Sequence, residues 1–351
     1  MIMELVAVDL FCGAGGLTAG LEAAGITVRA GFDLDGSCEW SYRRNTGAEF
    51  VSADVEKLST KDVLRHFDVS KDRLTLLAGC APCQPFSTYG RTRSKKDDKW
   101  RLLRAFARLV VNTRPDLVTM ENVPGLSKHR IFHDFLNALK GEGYDIKWKV
   151  LDCTRFGVPQ SRERLVLVAS KVGAAILPEP TCGNPLTVRD AISHLPPIEA
   201  GETHPDDPIH KAASLSPLNL ERIRASKPGG SWRDWPPHLI SLCHRKEKGW
   251  TYPSVYGRME WDAPSPTITT QCYGYGNGRF GHPEQDRAIS LREAALLQSF
   301  PEDWEFVEPG GKVEFAPIGR HIGNAVPPRL GEAIGKALLK SVGLNIPEVA
   351  A

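Results

Sequence analysis

Near the N-terminus an apolar run, Val6 to Phe11, breaks into Cys12-Gly13-Ala14-Gly15-Gly16, after which Leu17, Leu21 and Ala24 recur at helical spacing before Gly25. A short apolar run ending in glycine reads as a buried strand, and the spacing beyond it as a helix stopped by glycine. Strand, glycine corner and helix in that order point to an α/β fold. Glycines at the corner let the backbone approach a ligand, and the helix N-terminus offers unpaired N–H groups to a polar or negative group. A second strand, Val28 to Phe32, ends at Asp33, where a carboxylate can accept hydrogen bonds from both ribose hydroxyls. The unit therefore reads as a nucleoside site. Thr18 stands where the last glycine of a G-x-G-x-x-G pattern would be, which weakens a dinucleotide reading. A third strand near Phe50 to Ala53 ends in Asp54, a second candidate carboxylate for the ligand's base; the plainer reading of both aspartates is that they cap strands or begin helices.

The 351 residues exceed what one core usually supports, so two domains, or one with a large insertion, are expected. Apolar content of 41% is ordinary for a soluble chain. The start of the sequence shows no basic leader, long apolar segment or cleavage site, and the expectation is a cytoplasmic protein with no membrane contact. Eight scattered cysteines fit reduced thiols better than a disulfide framework. A net charge of +2 gives no nucleic-acid signal by itself, so any such surface has to come from gathering basic residues on one face.

The chemistry concentrates at Gly79-Cys80-Ala81-Pro82-Cys83-Gln84-Pro85-Phe86-Ser87, which follows the apolar run Leu74 to Ala78. Cys83, between a proline and a glutamine just past a strand end, is in a setting where a thiolate acts as a nucleophile. Cys80 and Cys83 also make a C-x-x-C pair, so redox and half-zinc readings stand beside it. No second C-x-x-C or His pair completes a metal site, and none is expected.

Beyond this loop, Arg91, Arg93, Lys95, Lys96, Lys99, Arg101 and Arg104 form a basic segment that could close over a phosphate backbone or simply be solvated. A helix from about Leu102 to Thr113 precedes a strand, Asp116 to Thr119, that runs on into Met120-Glu121-Asn122 and places Glu121 at the edge where open α/β sheets bind ligands. A helix (Phe132 to Lys140) and strands (Ile146 to Cys153, Leu165 to Ala169) follow, and there the alternation stops. From about Pro178 to Ser254 Pro, Trp, His and Gly accumulate, with Arg222, Arg224, Lys227, Arg233, Arg245, Lys246 and Lys248 among the aromatics. This is a loop-rich second domain. Its basic and aromatic mix suits nucleic-acid contact, or an irregular surface holding its tryptophans in a small core. The last element, with Leu330, Ile334, Ala337 and Leu338 on one face, is an amphipathic helix.

Taken in order, Asp9-Leu10-Phe11-Cys12-Gly13-Ala14-Gly15-Gly16, Pro82-Cys83-Gln84-Pro85-Phe86-Ser87, Glu121-Asn122-Val123, Gln160-Ser161-Arg162-Glu163-Arg164, Arg292-Glu293 with Leu297-Gln298-Ser299-Phe300-Pro301, and Gly323-Asn324-Ala325-Val326 resemble the motif series of DNA (cytosine-5) methyltransferases. The resemblance covers nearly the whole chain except about Pro178 to Ser254, where the family has its variable target-recognition region. It implies a Rossmann-like S-adenosylmethionine-dependent methyltransferase domain at 1–177 plus 318–351, with a smaller loop-rich target-recognition domain inserted at 178–317.

By similarity, Cys83 adds to C6 of a cytosine flipped out of duplex DNA, and Glu121 binds the N3 and amino edge. Arg164 holds O2, with Arg162 supporting the same pocket. Gln84, Ser87, Asn122 and Thr267 match positions on the substrate side. For the cofactor the matching residues are Phe11, Gly13, Ala14, Gly15 and Gly16 at the methionine portion, Asp33 at the ribose, Asp54 and Val55 at the adenine, and Asn324. Leu34 stands where some members stack an aromatic on adenine. The resemblance further implies a monomeric microbial enzyme of restriction-modification type, with any cognate restriction endonuclease acting separately. Other readings are a tRNA cytosine-5 methyltransferase on the same fold, a nicotinamide-dependent oxidoreductase, which leaves Cys83 and Glu121 unexplained, and a DNA-binding protein without catalysis.

Overall fold

A computed structural model describes residues 4–67, 73–82, 100–246 and 249–345. Cys83, Gln84 and Ser87, and the basic residues from Arg91 to Lys99, lie outside the described residues, as does Lys248. Two compact units result, and the first draws on Met1–Phe156, Glu163–Thr181 and Val326–Ala351.

In the first unit the order is β1 (Glu4–Leu10), α1 (Gly16–Ala23), β2 (Thr27–Asp33), α2 (Glu39–Asn45), β3 (Glu49–Ser52), α3 (Thr60–Phe67), β4 (Arg73–Gly79), α4 (Arg101–Thr113), β5 (Leu117–Asn122), α5 (Arg130–Gly141), β6 (Asp145–Asp152) and β7 (Glu163–Ser170). One seven-stranded sheet has the order β3-β2-β1-β4-β5-β7-β6. Strands β1 to β5 run parallel, while β7 is antiparallel to both β5 and β6. A parallel return needs a crossover of a dozen or more residues, usually helical; the stretch between β6 and β7 carries only a single 3-10 turn, Cys153–Phe156, so β7 comes back antiparallel.

The apolar runs explain the strands. Strands β1 and β5 are buried almost throughout, as expected where helices cover both faces of a parallel sheet. Val8, Leu10, Leu77, Val118, Met120, Leu165 and Leu167 meet Phe67 of α3, Phe106 and Leu109 of α4, and Phe132 and Phe135 of α5 in one core. Strand β6 is the outer edge, and its Lys147, Trp148 and Lys149 are exposed. Register sets Leu10 opposite Gly79 and Gly79 opposite Met120, so β1, β4 and β5 end side by side. Because β2 and β3 extend the sheet to one side of β1, and β4 and β5 to the other, the order reverses there. Ligands bind at such a reversal in open α/β sheets.

The second unit comprises Gly157–Arg162 and Cys182–Ala325. It holds α6 (Val188–Ile192), a two-stranded antiparallel ladder of β8 (Thr203–His204) and β9 (Asp207–Lys211), α7 (Pro217–Ala225), α8 (Leu291–Leu297) and α9 (Phe315–Asn324). Its small core gathers Ile223, Trp232, Trp235, Leu239, Val255 and Tyr275. Trp232 and Trp235 are thus core residues, whereas Trp250 is exposed. Several of the basic residues hold the unit together: Arg222 donates to Leu239 O and Ser241 Oγ, Arg233 to Trp250 O and Arg245 to Pro237 O. At the start of α8, Arg287 and Glu293 form a fully buried two-pronged ion pair with both contacts at 2.7 Å.

Helix α10 (Pro328–Ser341) returns to the first unit and packs on α1. Gly20 makes the close approach possible, since a side chain there would overlap the α10 backbone at Pro328, Gly331 and Glu332. The contact boundaries at 181/182 and 325/326 differ from the expected 177/178 and 317/318. Helix α9 packs inside the second unit, where Gly323 lies against the backbone of Thr269 and Thr270. Among the described residues no helix is long and apolar enough to cross a membrane.

Candidate active site

The glycine corner follows β1 directly. Phe11, Gly13 and Gly15 all take positive φ, of 61°, 52° and 95°, a region that costs glycine little and phenylalanine more. Phe11 N and Cys12 N both donate to Phe32 O, at 2.7 and 3.2 Å, tying the corner to the end of β2. Asp33 ties it again: Oδ2 accepts from Gly13 N and Oδ1 from Asp35 N, each at 2.9 Å. Burial raises the pKa of Asp33, and these backbone N–H groups oppose the rise. A side chain at Gly13 would meet no atom of the described residues within 4 Å, so none of these fills the corner. Leu34, the next residue after Asp33, is 69% exposed. Ala14 and Gly16 are buried, as is Val55, while Asp54 Oδ1 accepts from Glu56 N at 3.1 Å and caps a turn.

Behind the corner is a buried polar group that sequence reading did not single out. Asp9 is fully buried; Thr18 Oγ1 donates to its Oδ2 at 2.8 Å, and Tyr42 OH lies 3.0 Å from the same hydroxyl. Burial pushes the Asp9 carboxyl up to about 7. The Thr18 that breaks the glycine pattern therefore has a partner only three-dimensional structure could supply.

At the end of β5, Glu121 is 3% exposed. The antiparallel return of β7 sets Leu165 opposite Asn122, which brings Arg164 beside the carboxylate. Arg164 Nε lies 2.8 Å from Glu121 Oε1 but off the N–H direction, so the contact is ionic and Oε1 keeps its hydrogen-bonding capacity. Cys80 Sγ donates to Oε2 at 2.8 Å. Asn122 is buried; its Nδ2 donates to Ala81 O at 2.9 Å and its Oδ1 accepts from Val123 N. It therefore fastens the segment that leads towards Cys83. Glu121 and Arg164, each assigned by the sequence to a different edge of a base, lie side by side, and Cys80, read there only as half of a C-x-x-C pair, joins them. No spacing rule could have found that contact, because it depends on strand register.

In the second unit, Arg162 is buried and donates to Gln160 Oε1, Ile268 O, Gly323 O and Ala325 O. Gln160 Nε2 donates to Leu297 O and Gln298 Oε1, and Gln298 Nε2 to Ala325 O. These bonds join three of the sequence motifs into one knot. Thr267 is exposed and its Oγ1 donates to Ser161 O at 2.7 Å. Asn324 closes α9 with its side chain exposed.

The sheet order, with its antiparallel β7, is a Rossmann-like α/β methyltransferase fold. The family model described as C-5 cytosine-specific DNA methylase matches residues 5–340. The chain belongs to that family and is a DNA (cytosine-5)-methyltransferase. It is 47% identical to the Type II methylase M.HgiDII of Herpetosiphon aurantiacus over 336 residues, which is 94% of either chain. The Type II methyltransferase M1.HphI of Haemophilus parahaemolyticus is 35% identical over 96% of this chain and 87% of that one. Among solved structures, Spodoptera frugiperda DNMT2 shares the fold with a TM-score of 0.68 at 16% identity, over 96% of this chain and 100% of that one. A prophage-encoded E. coli protein shares it with a TM-score of 0.72 at 24% identity, over 97% and 100%.

Proposed function

We propose that the protein methylates C5 of a cytosine turned out of a specific site in double-stranded DNA, with Cys83 as transient nucleophile and S-adenosylmethionine as methyl donor. The observation that carries this is Glu121: a buried carboxylate beside a guanidinium, with one oxygen that has no hydrogen-bond partner among the described residues. Such an oxygen suits the N3 and amino edge of a cytosine. A base must leave the stack before its ring carbons can be reached, which accounts for a flipped substrate.

The residues fit the cofactor. No described residue fills the corner at Gly13, Leu34 offers an exposed apolar face, and Asp33 carries a carboxylate at the end of β2. Phe11, Ala14, Gly15 and Gly16 would hold the methionine portion, and Asp54 and Val55 the adenine. When bound, the cofactor supplies an electrophilic methyl group. Cys83 thiolate adds to C6 as a proton reaches N3 through Glu121, whose carboxylate then pairs with the N3–H and the amino group while Arg164 offsets negative charge at O2; that proton is given back when the thiolate leaves. C5, now electron-rich, takes the methyl group; loss of its proton and departure of the thiolate restore the ring. Asn122 acts from behind, by fastening the segment that leads towards Cys83, and Arg162 supports the pocket by tying together the loops at Ile268, Gly323 and Ala325. Gln84, Ser87 and Thr267 contact the flipped nucleotide, and Asn324 helps shape the cofactor side. The catalytic role belongs to the first unit and target recognition to the second. The Type II names of the relatives support a modifying enzyme whose restriction partner is a separate protein.

Bisulfite sequencing of plasmid DNA from expressing cells locates the site. A duplex with 5-fluorocytosine at that position should then give a denaturation-resistant adduct, because fluorine cannot leave as a proton does. Absence of the adduct overturns the covalent route, and label passing from the cofactor only to tRNA overturns the DNA substrate.

A further inference from the structure

We infer that Cys80 is a positioning residue for Glu121, a role that rests on the function proposed above. Its backbone is tied on both sides: Cys80 N donates to Leu10 O at 3.2 Å, and Ala81 O accepts from Asn122 Nδ2 at 2.9 Å. The thiol is thereby delivered to Glu121 Oε2 from the end of β4, with Sγ 2.8 Å from the oxygen. Arg164 approaches Oε1 off its N–H axis, so among the described residues the thiol makes the aligned hydrogen bond to this carboxylate. An off-axis ion pair holds charge but leaves the carboxylate plane free to turn. A hydrogen bond from a fixed donor stops that turning and keeps Oε1 aimed where a base edge would sit. A thiol is a weak donor, yet an ionised acceptor strengthens the bond. The bond is also one that a base need not displace, because it occupies the other oxygen.

The test compares wild type with Cys80→Ala and Cys80→Ser in the full chain, measuring kcat and both KM values on duplex DNA, with melting temperature as a control. Losing one charge-assisted bond predicts a fall in kcat of about tenfold or more for Cys80→Ala. Both KM values should stay within about twofold of wild type, since the bond orients the reacting carboxylate rather than adding binding energy. Cys80→Ser, which keeps a donor, should recover most of kcat. Cys80→Gly serves as the donor-less variant if the alanine protein does not fold. Equal kcat in the donor-less variant and wild type overturns the role, as does a serine variant as slow as the donor-less one. A wild-type protein that methylates no duplex DNA would instead overturn the function on which the role rests.

Discussion

Glu121 is held by two partners of different kinds, a guanidinium that supplies charge and a thiol that supplies direction. Replacing it by glutamine keeps the shape and removes the charge, and should lower kcat by about 10²- to 10³-fold, the range seen when one preorganised electrostatic group is lost. Label transfer under saturating DNA and cofactor measures it. Glu293 carries a different kind of charge, one that serves stability. Burial alone would raise its pKa, but the hydrogen bonds and charge of Arg287, together with His282 and Ser290 N, bring it down to about 2. A depressed carboxylate stabilises the fold above its unfolded value and loses that contribution as pH falls through the folded one. Unfolding of the second unit should therefore set in between about pH 4.5 and 2, followed by fluorescence of the buried Trp232 and Trp235. Glu293→Gln should flatten that acid limb and lower stability at neutral pH, where Arg287 is left buried with a neutral partner.

Among the described residues, α1 and α10 form the most extensive helix pairing. Gly20→Ala places a methyl group against the α10 backbone, and such overpacking costs about 1–3 kcal/mol. Calorimetry should show a lower melting temperature for this variant. Elements with continuous apolar runs, β1, β2, β4 and β5, were legible in the sequence, and so were the residues at their ends: Gly13, Asp33 and Glu121 stand where pattern alone put them. The antiparallel sense of β7 was not legible, because a run such as Leu165 to Ala169 does not say which way it pairs. Helix α9 was missed since Pro317, Gly319 and Gly323 dilute its periodicity. Helix α7 was hidden within a stretch whose composition reads as loop. The same composition placed aromatics and arginines together without saying that Trp232 and Trp235 turn inward, or that Arg222 and Arg245 bond to carbonyls of their own unit.

For the whole molecule, ligand binding and stability are linked: a ligand at a hundred times its Kd stabilises the folded form by about 2.7 kcal/mol. S-adenosylmethionine should accordingly raise the melting temperature of the wild-type protein. Leu34→Asp should abolish that rise while leaving the free protein as stable as before, because the side chain is largely in solvent. A rise that survives the substitution would remove Leu34 from the cofactor site. The edge of the sheet bears on a quite different property. A net charge of +2 offers 351 residues little mutual repulsion in solution. An outer strand with free backbone groups would invite a neighbouring copy to add its own strand. Lys147 and Lys149 project from β6 at that rim, so two copies that pair antiparallel about Trp148 set like charges side by side. Two lysines on one strand thus disfavour the centred edge-to-edge pairing of a nearly neutral protein as its concentration rises.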